Sequence, residues 1–192
     1  METERLIPPT TIFITMAEAF YESLLNSEIV GELQSYANQA DNYVPVSQEY
    51  MGHQYHSVDV HPIPHAHPIE RHIVRSMVTI NKKYYNYDLY GTFEIQLLRY
   101  TPGGQYKWHC DYGLSANPEG DRKLSMSIQL SDAWDYNGGE LHILDWQNLQ
   151  STMSKEVGSV LVFDSRVAHK VEPVTEGERY AIVAWAHGPQ LR

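Results

Sequence analysis

FEIQLLRYTPGGQYKWHCDY, residues 93–112, is the stretch whose reading decides the fold. Phe93 to Tyr100 and Tyr106 to Tyr112 are strand candidates, and Pro102-Gly103-Gly104 between them carries turn chemistry, since Pro fixes φ and Gly admits positive φ. Downstream, further strand candidates follow in quick succession: Leu124 to Leu130, Glu140 to Leu144, Val160 to Phe163, Ala168 to Val174 and Arg179 to Ala186. Asn117-Pro118-Glu119-Gly120, Asn137-Gly138-Gly139 and Glu176-Gly177 punctuate them. Short strands at this spacing, with no helical pattern between them, predict an antiparallel barrel or jelly roll.

Upstream of Gly91 the pattern turns helical. In Met16 to Ala40 the apolar residues Phe20, Leu24, Val30, Leu33 and Ala37 sit near helical spacing, with Gly31 as a candidate interruption. Ile69, Ile73, Met77 and Ile80 are spaced by four, four and three, which places them on one helical face. These helices are expected to support the sheet. Asp41 to Pro68, rich in Tyr, His and Pro, reads as a long loop, because the three prolines of HPIPHAHP (His61 to Pro68) disfavour helix and central strand. A metal site at His61, His65 and His67 is outweighed by a solvated loop, since the octapeptide offers no Cys or acidic ligand; a lid over a substrate is a third reading.

The chain of 192 residues shows no composition shift or repeat, which predicts one domain over 1–192: helical support and loop over 1–90, strand core over 91–189. Its longest apolar runs, such as Ile182 to Ala186, fall far short of the ~20 residues a membrane-spanning helix needs. The N-terminal METERLIPPTTIF has neither an apolar leader core nor a small-residue cleavage site, which points to the cytoplasm. Cys110, the single cysteine, precludes an intramolecular disulfide and reads as a small filler beside the site. A net charge of −10 disfavours nucleic acid, whose binding draws on clustered Lys and Arg.

His109 and Asp111 lie two apart in a strand candidate, so both project to one side. If the strand that begins at His169 folds back beside them, the three form a two-His, one-carboxylate facial triad, which leaves positions of an octahedral iron open. An H-x-D triplet alone is more often chance. Arg179, ten residues after His169 and past Gly177, changes the balance: a hairpin of that length returns a guanidinium into the same barrel, where it calls for an anion. A core salt bridge is the competing explanation of Arg179.

RYTPGGQYKWHCD (Arg99 to Asp111), RKLSMSIQLSD (Arg122 to Asp132), YNGGEL (Tyr136 to Leu141) and GSVLVFDSRVAHKVEPVTEGERYAIVAWAHGP (Gly158 to Pro189), in this order, resemble the 2-oxoglutarate and Fe(II)-dependent dioxygenases, in their prolyl 4-hydroxylase-like and PKHD-type branch. The resemblance covers roughly Phe93 to Pro189. It implies a double-stranded β-helix core. His109, Asp111 and His169 become Fe(II) ligands, and Arg179 the grip on the far carboxylate of 2-oxoglutarate. Arg, where many prolyl hydroxylases use Lys, leans toward the PKHD-type branch. Tyr100 matches a tyrosine that hydrogen-bonds the cosubstrate, though a core aromatic serves as well there, and Ser125 and Ser127 lie on a strand lining its pocket. Gly138-Gly139 matches a family turn; Trp108 and Trp185 are expected to wall the barrel. The implied reaction consumes 2-oxoglutarate and O2, releases succinate and CO2 and hydroxylates a C–H bond, with ascorbate as an accessory reductant. A peptidyl residue such as proline is the first substrate class, a free amino acid or small metabolite the second. The Asp41 to Pro68 and Gly113 to Asp121 loops are expected to shape the pocket. Two rivals remain: a cupin-like metal barrel without oxygenase activity, which needs no dicarboxylate anchor, and a zinc hydrolase, which needs a general base the sequence does not identify.

Overall fold

The computed structural model describes residues 11–14, 19–22, 24–91, 93–113, 120–144 and 149–190. In chain order the elements are β1 (Thr11–Ile14), β2 (Ala19–Glu22), α1 (Ser27–Gln39), β3 (Val44–Tyr50), β4 (His53–Pro62), α2 (Glu70–Ile80) continued by a π-helical turn Asn81–Tyr85, β5 (Phe93–Tyr100), β6 (Gln105–His109), β7 (Asp121–Gln129), β8 (Tyr136–Gly138), β9 (Leu141–Leu144), β10 (Gln150–Thr152), β11 (Val160–Asp164), β12 (His169–Val171), β13 (Val174–Gly177) and β14 (Arg179–Gly188). Twelve strands form one sheet in the order β10-β9-β12-β6-β4-β5-β14-β7-β11-β1-β2, with β3 paired to β4 alone; β8 and β13 make a small second sheet. Every pairing is antiparallel except β1 with β11.

The long sheet curls on itself, as a jelly roll does. Phe163 of β11 and His169 of β12 are far apart in the strand order, yet their rings meet at 4.8 Å across the interior. Alternation then sorts side chains into two cores. On β5, Phe93, Ile95 and Leu97 face outward to the helices, while Leu98 and Tyr100 face inward. On β7, Leu124, Met126 and Ile128 join the helix-side core, as does Leu130 just past the strand, which leaves Ser125 and Ser127 for the interior cavity. The barrel interior thus mixes an apolar lining with a few polar side chains, while its outer apolar face lies under α1 and α2.

The face of Ile69, Ile73, Met77 and Ile80 forms as expected: α2 buries Ile73, Met77 and Ile80 at 0% exposure, and Ile69, its N-cap residue, is buried with them. The helix expected over Met16 to Ala40 begins only at Ser27, where Asn26 accepts from the Ile29 N–H as N-cap; Phe20 falls in β2. Gly31 does not interrupt it. The Asp41 to Pro68 loop is corrected more deeply, because most of it is the β3–β4 hairpin, turning at Met51 and Gly52 with φ of 51° and 77°. β4 enters the main sheet between β5 and β6, and Pro62 is tolerated as its last residue. Of the histidines there, His61 bonds Tyr36 Oη and the Asp41 carbonyl, His65 meets Glu70, and the His67 ring packs 4.6 Å from Tyr36.

Three further expectations shift. β6 ends at His109, so Asp111 lies just past the strand. Ala168 to Val174 divides into β12 and β13. Arg179 does not return by a hairpin with the His169 strand: β12 pairs with β6 and β9, whereas β14 pairs with β5 and β7. Of the Gly113 to Asp121 loop, residues 114–119 lie outside the described residues.

Candidate metal centre and cosubstrate cavity

Pairing of β12 with β6 sets His169 opposite His109, and the turn after β6 brings Asp111 between them. Asp111 Oδ1 lies 3.6 Å from His109 Nε2, and its Oδ2 lies 3.5 Å from His169 Nε2. One ligand atom from each of the three falls within 4.8 Å of the others, the only such cluster among the described residues. Side-chain exposure is 7% for His109 and 5% for Asp111, so water screens the cluster weakly.

Each imidazole is aimed by its far nitrogen. His109 Nδ1 donates to the Lys107 carbonyl at 2.8 Å and His169 Nδ1 to the Val167 carbonyl at 3.1 Å, which fixes the tautomer that presents Nε2 lone pairs to a cation. Burial pushes the His169 pKa down to about 4, with His109 adding to the effect against the pull of Asp111. His169 is therefore neutral at pH 7, as a ligand must be. For Asp111 burial acts upward, but the adjacent His109 and His169 together with hydrogen bonds from Ser125 and Trp185 outweigh it and hold the carboxyl below its usual range. Two imidazoles and one carboxylate on one side of a buried space suit Fe(II), Mn(II) or Co(II).

Around this cluster a cavity runs into the barrel. Its lining includes Val58, Val60, Leu98, Tyr100, Leu141, Val171 and Arg179. Arg179 is 2% exposed. Among the described residues the arginine ion pairs join Arg99 to Asp59, Arg122 to Glu94 and Arg166 to Asp164, and none reaches Arg179. Its guanidinium lies 5.5 Å from the centre of the Tyr100 ring. Burial pushes the Tyr100 pKa up to about 12 despite that cation, so its hydroxyl stays a donor. Gly139, at φ 65°, gives Arg179 its room: a Cβ there would stand 3.1 Å from Arg179 Cδ and 2.9 Å from Val174 Cγ2.

The expected residues thus gather, with differences of detail. His109, Asp111, His169, Tyr100, Ser125, Ser127 and Arg179 all line the one cavity. Ser125 commits its hydroxyl to Asp111 Oδ2 at 2.7 Å. Trp185 lines the cavity, but Trp108 turns outward with Lys170 over its ring, and Cys110 is exposed rather than packed beside the site. Sequence reasoning missed His56, Tyr106 and the indole donor. The Tyr106 ring stacks between His109 at 3.4 Å and His56 at 3.7 Å, and Trp185 Nε1 donates to Asp111 Oδ2 at 2.8 Å. His56 and Tyr106 are register partners of β4 and β6, so finding that stack requires the β3–β4 hairpin that the sequence conceals, while the indole contact joins residues 74 apart in the chain.

Comparison with known proteins agrees with this geometry. The model of the 2OG-Fe(II) oxygenase superfamily matches residues 95–187, a span that holds the metal cluster and Arg179. Over that span, just under half of the chain, the barrel is similar to that superfamily. Among relatives, the PKHD-type hydroxylase of Sphingopyxis alaskensis is 38% identical over 91 residues, which are 46% of this chain and 41% of that protein. The PKHD-type hydroxylase of Pseudomonas aeruginosa is 31% identical over 134 residues, 64% of this chain and 58% of that one. The chain thus spans about half the length of these oxygenase relatives. A Pseudomonas putida prolyl-4-hydroxylase shares the oxygenase fold with a TM-score of 0.68 at 22% identity, covering 85% of this chain and 88% of that one. A Trichoplax adhaerens prolyl hydroxylase, solved with a hypoxia inducible factor oxygen degradation domain peptide fragment, gives 0.65 at 20% identity, covering 85% and 80%. No helix among the described residues is long and apolar enough to cross a membrane.

Proposed function

We propose that this chain is an Fe(II)- and 2-oxoglutarate-dependent hydroxylase of a peptidyl residue such as proline. The observation that carries the reading is Arg179, a buried guanidinium with no carboxylate partner among the described residues, in the same cavity as His109, Asp111 and His169. An unpaired buried charge is costly, so a cavity built this way calls for an anion, and a planar fork suits a carboxylate. A metal barrel without a cosubstrate, or a zinc hydrolase, gives Arg179 no such role.

In this reading His109, Asp111 and His169 hold the metal and Arg179 grips the far carboxylate of 2-oxoglutarate. The Tyr100 hydroxyl donates to the cosubstrate. Ser127 lines its cavity; Ser125 and Trp185 hold the Asp111 carboxylate by hydrogen bonds that keep it ionised. Bound there, Fe(II) with 2-oxoglutarate and O2 supplies the oxidant for C–H hydroxylation, with succinate and CO2 as coproducts and ascorbate as an accessory reductant. The apolar lining of Val58, Leu98, Leu141 and Val171 keeps water from the reacting centre.

The substrate class rests on the aromatic lining of the cavity. Tyr106 and Trp185 flank the metal cluster and offer aromatic surface to a compact ring, and Arg122, 3.9 Å from the centre of the Trp185 ring, keeps the indole in place. The names of the PKHD-type relatives and the peptide bound to the Trichoplax protein support the same class. The test incubates protein, Fe(II) and 2-oxoglutarate with proline-containing peptides and, separately, with free amino acids. A one-oxygen mass gain on peptide, matched mole for mole by succinate, is expected. Gain on free amino acids alone would refute the peptidyl assignment, and no metal-dependent succinate with any substrate would refute the hydroxylase.

A further inference from the structure

We propose that the turn Asp164–Val167 is a positioning unit that presets two of the three metal-binding side chains at once, with Asp164 and Ser165 as its positioning residues. This rests on the reading of His109, Asp111 and His169 as the metal site. Ser165 is fully buried, and its carbonyl accepts from two successive backbone donors, Asp111 N–H at 2.9 Å and Tyr112 N–H at 2.8 Å. Its hydroxyl lies 2.9 Å from Ser125 Oγ, which in turn donates to Asp111 Oδ2 at 2.7 Å. Asp111 follows the end of β6, so no strand ladder fixes it; Ser165 supplies both backbone and side-chain anchorage instead. Two residues further along, the Val167 carbonyl accepts from His169 Nδ1 at 3.1 Å and so aims that ring.

The turn that carries these groups is closed from outside by Asp164, 3% exposed. Its Oδ1 accepts from Arg166 N–H at 2.8 Å and Arg166 Nε at 2.9 Å, and its Oδ2 accepts from Arg166 Nη2 at 2.5 Å. Tyr87, from the segment after α2, donates its hydroxyl to the same Oδ2. Val167 N–H donates to the Asp164 carbonyl at 2.9 Å, completing a tight turn. A rigid acid–guanidinium–phenol clasp thus holds a turn whose two inner carbonyls reach Asp111 and His169. Asp164 touches neither metal nor substrate; it acts through Ser165 and Val167.

Outer groups that orient metal ligands are worth about 10- to 100-fold in metal affinity. The experiment titrates Co(II) anaerobically into metal-free full-length protein and records affinity and ligand-field spectrum, with thermal stability of the metal-free form measured alongside. Asp164→Asn is expected to bind Co(II) at least about tenfold more weakly with an altered spectrum, and Ser165→Ala several-fold more weakly. Tyr87→Phe, which removes one hydroxyl, keeps the question open to test if Asp164→Asn does not fold, and a several-fold loss is expected there too. Ile73→Val in the helix-side core is the comparison for stability alone and should leave Co(II) affinity unchanged. Wild-type affinity and spectrum in folded Asp164→Asn and Ser165→Ala, or in Tyr87→Phe where Asp164→Asn is unfolded, would overturn the positioning role. His109→Ala separates the two ideas: loss of Co(II) binding there with none in the turn variants refutes the turn alone, whereas unchanged binding in His109→Ala refutes the metal site itself.

Discussion

Asp111 accepts from Ser125 Oγ at 2.7 Å and from Trp185 Nε1 at 2.8 Å, both at Oδ2, so its ionised form is held before any cation arrives. Hydrogen bonds to a charged group are worth about 1.5–3 kcal/mol. Trp185→Phe keeps the ring and removes the donor; it is expected to weaken Fe(II) binding by about tenfold, read by metal titration, since ~1.4 kcal/mol is a factor of ten. Wild-type affinity in that variant would mean that the indole only packs. His109→Ala, Asp111→Ala and His169→Ala are each expected to lose metal-dependent succinate formation, and Asp111→Asn to bind metal more weakly at nearly unchanged shape. Full activity with unaltered metal content in any one of them removes that residue from the ligand set.

At the scale of elements, the small β8–β13 sheet is what admits Arg179 to the cavity. Gly138 and Gly139 both take positive φ, 76° and 65°, and a Cβ on Gly138 would meet the Pro173 carbonyl oxygen at 2.1 Å. Gly139→Ala is expected to lower the thermal midpoint and to raise the 2-oxoglutarate requirement together, because its methyl contacts Arg179 directly. A fall in stability with an unchanged 2-oxoglutarate requirement would separate this turn from the anchor. The same scale shows what the sequence disclosed. α2 was legible because its 3.6-residue period faces one core, and β5 because it is an apolar-rich run that ends at a Pro-Gly-Gly turn. The β3–β4 hairpin was not: seven residues of β3 are nearly all exposed, so no alternation marks them, and Tyr, His and Pro imitate a loop. H-x-D spacing revealed His109 and Asp111, whereas the roles of Trp185 and Ser165 depend on contacts 74 and 40 residues away that no local pattern encodes.

For the whole molecule, stability should depend on acidity through the buried His169 and the half-buried His56. Burial lowers both His169 and His56 to about 4 from an ordinary 6.5. Between those values the unfolded chain binds more protons than the folded one, so metal-free stability is full above about pH 6.5 and falls as pH drops toward 4. Denaturant midpoints measured across that window should decline, and less steeply in His56→Gln; a flat profile would contradict the burial of these rings. His109, Asp111, His169 and the buried Arg179 line one cavity, and the proposed reaction needs both the metal ligands and the guanidinium. Anaerobic titration of 2-oxoglutarate into the Fe(II)-loaded protein, followed by metal-to-ligand charge-transfer absorption, probes both at once. A saturable band is expected in the wild type, with at least about tenfold weaker 2-oxoglutarate binding in Arg179→Ala, an intermediate value in Arg179→Lys and Fe(II) binding intact in both. No band in the wild type, or equal 2-oxoglutarate affinity in Arg179→Ala, would contradict it.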